Sequence, residues 1–260
     1  MNIRHGYDLL AAEWTKLWSL RSTYLALAAT AVATPVVSLG VAQANVSYIR
    51  SGQPHGLGQI DAMATSFRGI AIAQLIIGVL GALTITGEFG SGLIRTTFAA
   101  TPQRGAVLAA KATVIGVVTL VFGQVLAFGV FLGTQAILGR IHAGLGIAAP
   151  GVFRSVSGAG LYLTVVALLG LGIGALVRHT AAAIATIVVF FFLIPQIPGV
   201  LPTPWSYRFA DALPSTAAQQ LSTRTPTTHL LTLSQSYSLL LGYAILVPLV
   251  GALVVRRRDA

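Results

Sequence analysis

Hydrophobic positions along this chain come in blocks rather than in alternation. Apolar runs of about 20 residues, the length a helix needs to cross roughly 30 Å of hydrocarbon, recur six times. They lie at residues 24–44, 69–86, 112–138, 160–177, 181–200 and 237–255. Stretches such as LLGLGIGALV and TIVVFFFLIP are apolar at successive positions, whereas a membrane barrel needs apolar and polar residues to alternate. The blocks predict an all-α integral membrane protein: six transmembrane helices in a single domain, residues 1–260.

The polar segments between the blocks refine that picture. Residues 1–22 place Leu10, Trp14, Leu17 and Arg21 at helical spacing, which predicts an N-terminal amphipathic interfacial helix. Trp14 and Trp18 suit the headgroup boundary, while Lys16 and Arg21 reach water with their stems on lipid. The first block ends in VAQA, which imitates a signal-peptidase site. Cleavage is not expected, because the lead contains two acids and the block exceeds a signal core of ~7–15 residues. Residues 45–67 and 139–158 read as polar loops. Only Arg-His-Thr separates the fourth and fifth blocks, predicting a tight hairpin. Pro195, Pro198, Pro202 and Pro204 then lack the N–H a continuing helix would need, so the fifth crossing ends there. Residues 201–235 are expected to be an extracytoplasmic loop carrying short helices.

Composition agrees with a membrane class: 55% of residues are hydrophobic, 8% are charged and mean hydropathy is +0.82. There is no Cys, which excludes disulfides and thiolate metal sites. The net charge of +10 raises nucleic-acid binding, but the basic residues stand singly at block ends, a pattern of membrane orientation. With six spans and the N-terminus inside, ten Arg and Lys fall on the inner side and six on the outer. That asymmetry places both termini and residues 87–105 in the cytosol. Arg256–Arg258 follow the last block, where an anionic leaflet would hold them.

Residues 87–105, GEFGSGLIRTTFAATPQRG, are longer than a connection between spans requires and carry their own pattern. Phe89, Leu93 and Thr97 share one helical face with Ile94 and Phe98 beside it, and Thr101–Pro102 enforces an extended exit. A short helix across the span ends is expected, with Gly87, Gly90 and Gly92 allowing a sharp turn. Glu88 is expected to pair with Arg95, Arg104 or Lys111.

The set Glu88, Gly92, Ile94-Arg95-Thr96-Thr97, Thr101-Pro102, Arg104 and Lys111 resembles the loop signature of permease subunits in the type-2 ATP-binding cassette (ABC) exporter family, in particular its short actinobacterial members. AAEWTKLWSLRSTY is similar to that family's N-terminal elbow, and GLGIGALVRHTAAAIATIVVFFFLIP to its fourth-to-fifth hairpin. The resemblance covers most of the chain. It implies that residues 87–105 contain a cytosolic coupling helix seated on a separate ATPase subunit. Phe89, Leu93, Ile94 and Arg95 would transmit closure of two such ATPases into a permease dimer, a homodimer or a heterodimer. The location implied is the bacterial inner membrane, with ATP and Mg handled by the partner and no cofactor bound by this chain.

What the chain lacks points the same way. There is no G-x-x-x-x-G-K-[ST] and no Gly-Lys pair, so no nucleotide loop, and the five His are isolated with no H-E-x-x-H. No ionisable residue falls at mid-span, as proton or sodium coupling ordinarily needs. Gln74, Thr84, Gln124 and Thr164 are candidates for a pathway or for bonds between helices, and Gly129/Gly133 and Gly170/Gly174 for close helix packing. A pathway lined by Leu, Val, Phe and a few amides suits an amphipathic or hydrophobic cargo: a drug-like compound, a lipid or a peptide. The rival expectations are a membrane scaffold or sensor regulated by an ATPase and a membrane-embedded enzyme.

Overall fold

A computed structural model describes residues 3–51, 61–100, 103–222 and 231–257. These residues form helices and connections, with no strand among them. Six of the helical segments are long and apolar enough to cross a membrane, the organisation of a multi-pass membrane protein. The helices are α1 (Ile3–Ser19), α2 (Arg21–Arg50), α3 (Ala62–Ser66), α4 (Ile70–Gly90), α5 (Leu93–Ala100), α6 (Arg104–Leu138), α7 (Val152–Val177), α8 (Thr180–Val188), α9 (Trp205–Asp211), α10 (Pro214–Ser222) and α11 (Leu233–Arg257).

The centre of the bundle is α7, and its sequence explains why. In lipid there is no hydrophobic force between helices, so they associate where small residues let backbones approach. A Cβ on Gly170 would lie 2.0 Å from the Gly78 carbonyl oxygen, and one on Gly81 would lie 2.0 Å from that of Ala167. The backbones of α4 and α7 are therefore in direct contact along a stripe that Gly174 extends against Ala82. Gly160 admits α6 at Gln124, and Gly172 admits α11 at Val247. Accordingly 72% of the most apolar window of α7 is buried, against 50% and 44% for α4 and α6 and only 17% for α11. The other glycine pair behaves differently. Gly129 faces open space and Gly133 meets only the end of Leu39, so no helix backbone closes on them.

Several boundaries differ from the sequence expectation, each for a physical reason. The first span continues as α2 to Arg50 and Arg21 begins it, because Leu20 is extended and separates it from α1. The Thr23 hydroxyl donates to the Leu17 carbonyl at 2.7 Å and fixes that bend. Within the expected loop 45–67, Asp61 caps α3 by accepting from the amides of Met63 and Ala64, a role for which its short carboxylate is suited. Residues 52–60 lie outside the described residues.

The third span starts eight residues earlier than its apolar block: α6 has 35 residues and is roughly 50 Å long at 1.5 Å per residue. The fourth starts at Val152, turning the end of the expected loop 139–158 into helix. After α8 the chain continues as π-helix over Val189–Leu193 and as 3₁₀-helix over Ile194–Val200. Pro195 and Pro198 can donate no backbone hydrogen bond, so the α pattern is lost there while a helical path persists. Residues 201–235 hold α9 and α10, with residues 223–230 outside the described set.

Candidate functional site

The polar stretch of residues 87–105 is not one helix. Helix α4 runs through Glu88 and Phe89 to Gly90, Gly92 turns the chain at φ +73°, and α5 begins at Leu93. A positive φ is cheap only for glycine, so Gly92 is the residue that permits the break. Phe89 and Leu93 consequently belong to different helices and do not share a face. Phe89 packs against the main core and carries the Arg178 guanidinium 5.2 Å above its ring, a cation–π contact. Arg178 itself sits in the left-handed turn between α7 and α8.

Helix α5 divides its residues sharply. Ile94 is 3% exposed and joins the core, whereas Leu93 is 46% exposed. Ile94 is therefore an anchor and not part of an exposed docking face. Thr96 is exposed and its hydroxyl donates back to the Leu93 carbonyl. Thr97 is half-buried and faces α1, where its hydroxyl lies 3.4 Å from Lys16 Nζ. Arg95 and Phe98 belong to α5, but their side chains, like all of Thr101 and Pro102, lie outside the described residues.

Beneath α5 lies a closed ring of charge. Lys16 Nζ is 2.8 Å from Glu13 Oε1 and 3.3 Å from Glu88 Oε1. Lys111 Nζ is 2.8 Å from the same Glu88 oxygen and bonds Glu13 through Oε2. Two cations and two anions alternate around the ring and cancel. Glu13, Glu88 and Lys111 are all under 9% exposed, so their cost of leaving water is repaid only by one another. The chain contains two Glu and two Lys in all, and these are the four; every other basic residue except His is Arg. The choice of Lys follows from geometry, since each ammonium is a compact point charge that bridges two carboxylates. The planar fork of Arg suits one carboxylate at a time.

Three elements meet in the ring: α1 supplies Glu13 and Lys16, α4 supplies Glu88 and α6 supplies Lys111. Lys16 extends it to α5. Burial pulls the Lys16 ammonium toward neutrality, but the hydrogen bond and charge of Glu13, with Glu88 behind it, outweigh that and raise its pKa above the ordinary lysine range. A cavity of about 20 Å³ adjoins the ring, bordered also by Leu17, Thr84 and Ile115. Glu88 Oε2 is buried there with no hydrogen-bond partner among the described residues. The volume is enough for one water molecule, the natural donor to that oxygen.

The sequence expectation for Glu88 included Lys111 but not Lys16 or Glu13. Glu13 lies on the buried face of α1 with Leu17. The remaining elbow residues divide between core and surface. Leu17 is 5% exposed, Trp14 is 47% exposed, and Trp18 packs between the rings of Trp14 and Tyr24. Arg21 is exposed at the start of α2.

Two of the four mid-span polar residues, Gln74 and Gln124, bond between helices. The Tyr162 hydroxyl donates to Gln74 Oε1 at 2.6 Å, joining α7 to α4, and Gln124 Nε2 donates to the Ser157 carbonyl, joining α6 to α7. Thr84 donates to Gly81 within its own helix, and Thr164 is buried without a partner for its hydroxyl among the described residues.

At the opposite end of α6 lies a second polar assembly that the sequence analysis did not single out. Ser66 and Thr134 hydroxyls are 2.6 Å apart, Gln135 Nε2 donates to Ser66 Oγ, and Gln135 Oε1 accepts from the Leu145 amide at 2.7 Å. No family model matches the chain, and no curated sequence does.

Proposed function

We propose that this chain is the membrane-spanning subunit of an ATP-driven exporter, working as a dimer with two copies of a separate ATPase subunit in the bacterial inner membrane, both termini in the cytosol. The observation that carries the reading is the division of α5. A short helix stands beyond the end of a span, one side sunk in the core through Ile94 and the other offering Leu93 to solvent. Its Thr97 is tied through Lys16 to a ring that grips α1, α4 and α6. A push on such a helix is delivered to three elements together rather than dissipated in a loose loop. Buried ion pairs hold register better than they add stability, which suits a joint that must transmit displacement.

The resemblance of the 87–111 segment, the elbow and the fourth-to-fifth hairpin to type-2 ABC permeases supports the same assignment. The absence of any nucleotide-binding loop requires the energy to come from a partner. The cargo class is an amphipathic or hydrophobic molecule, in keeping with spans that carry few polar groups.

The test is transport by the reconstituted complex. Inverted vesicles containing this chain and its ATPase subunit should accumulate an amphipathic cargo in an ATP-dependent manner, and Leu93→Asp should abolish both accumulation and cargo-stimulated ATP turnover while membrane insertion is unchanged. ATP turnover that responds to the chain without any vectorial accumulation would point instead to a scaffold or sensor.

A further inference from the structure

We propose that the cavity between α3, α4, α7 and α10 binds the headgroup and glycerol backbone of a phospholipid with a zwitterionic amine headgroup, phosphatidylethanolamine being the representative. The proposal needs only that the chain spans a bilayer and does not rest on the transport reading. The cavity lies at the end of the bundle remote from α1, has a volume of about 380 Å³ and opens beside the first turns of α4. That is within the roughly 300–1,000 Å³ of ligand-binding clefts, and it suits a headgroup with its glycerol while the acyl chains remain in the bilayer.

Its chemistry is layered. At the rim stand one anion and one cation, Asp61 and Arg68, both exposed. Asp61 spends Oδ1 on the Met63 and Ala64 amides, leaving Oδ2 unbonded among the described residues. The Arg68 guanidinium makes no hydrogen bond or ion pair among them. Below the rim the wall is apolar at Ile70 and Ala71. Deeper still is Gln74, held by the Tyr162 hydroxyl, which is 3% exposed and donates to its Oε1. Gln74 lines the cavity, its amide hydrogens make no bond among the described residues, and it lies four residues or about 6 Å along the helix from Ile70.

A glycerophospholipid presents its polar groups in that order from the surface inward. Its ammonium meets the Asp61 carboxylate, its phosphate meets the Arg68 fork, and its ester carbonyls, which only accept, meet the Gln74 amide. An anionic lipid of the glycerol-headgroup type would satisfy Arg68 but leave Asp61 facing negative charge. A cationic amphiphile would do the reverse.

Native mass spectrometry of the full-length chain, titrated with phosphatidylethanolamine or phosphatidylglycerol of matched acyl chains, tests this. Phosphatidylethanolamine should be retained about tenfold more strongly, the order of one charge-assisted hydrogen bond. Asp61→Asn preserves the α3 cap and should erase that preference. Arg68→Gln, at an exposed position, and Ser215→Trp, which fills the cavity from α10, should each lower retention of phosphatidylethanolamine severalfold. Equal retention of the two lipids by the unaltered chain, or unchanged retention by Arg68→Gln, would overturn the proposal.

Discussion

Helix α6 is fixed at both ends, and the two fixings differ in kind. Near its start Lys111 closes the ring with Glu13, Glu88 and Lys16. Near its end Thr134 and Gln135 bond Ser66 and the Leu145 amide through neutral hydroxyl and amide groups. The neutral assembly joins two short hydroxyls to one amide that also bonds the backbone of Ala62 and Leu145, so it locks α3 and the connection after α6 in one place. The charged ring uses long, flexible side chains, leaves one carboxylate oxygen open to a cavity and has one member, Lys16, partly in solvent. Charge acts over distance and tolerates a change in angle that a hydroxyl pair does not. The ring can therefore stay intact while α1 and α5 shift, whereas the remote end holds or breaks.

The largest consequence falls on Lys111. Lys111→Met leaves Glu13 and Glu88 buried together with only Lys16 between them, and breaking a buried pair by removing one partner costs about 3–5 kcal/mol. Thermal unfolding in detergent, followed by fluorescence-detected size exclusion, should show that loss. Adding Glu88→Gln to Lys111→Met should recover part of it by removing the uncompensated charge. No recovery would mean that the ring holds by shape rather than by charge.

Gln135→Leu at the other end should cost less, about 1–3 kcal/mol for a buried amide and hydroxyl left short of partners. Its cost should not depend on salt, because no net charge is involved.

Lys16→Met also leaves the ring one cation short, but it should cost less than Lys111→Met because water reaches the place of its partly exposed ammonium, and it should free α5. A spin label at Thr96→Cys should gain mobility in that variant while labels on α4 do not. Because the Lys16 pKa is raised by the neighbouring carboxylates, its tie to α5 is complete below the unfolded lysine value and is lost as pH rises through the higher folded one. The label should therefore stay ordered through neutral and mildly alkaline pH and loosen only above about pH 10.4.

How much of this was legible in the sequence follows from what each signal measures. Runs of apolar residues report lipid contact, so the six spans could be read. Their ends could not, because α2, α6 and α7 extend past the apolar blocks through residues such as Arg50, Lys111 and Val152, whose helical state is set by neighbouring helices. Gly92 was legible as one of three glycines that allow a turn, but not that the turn separates Phe89 from Leu93, because the two are four apart and fit one face of a continuous helix.

The ring was hidden for a different reason, since Glu13 and Lys111 are 98 residues apart and no local pattern joins them. A compositional clue existed. A chain that meets nearly all its basic needs with Arg and uses Glu and Lys only twice each has set those four apart. The cavity by Arg68 had no sequence signal, because its parts come from four helices and from the residues flanking α3, and are ordinary in each.

The account turns on Leu93 being an exposed cytosolic contact for an energy-supplying subunit. The chain has no Cys, so Leu93→Cys provides a single reporter. A membrane-impermeant maleimide should modify it in inverted vesicles, leave it untouched in intact cells, and lose access when the ATPase subunit is bound. Modification from outside intact cells, or equal modification with and without the ATPase subunit, would contradict the account.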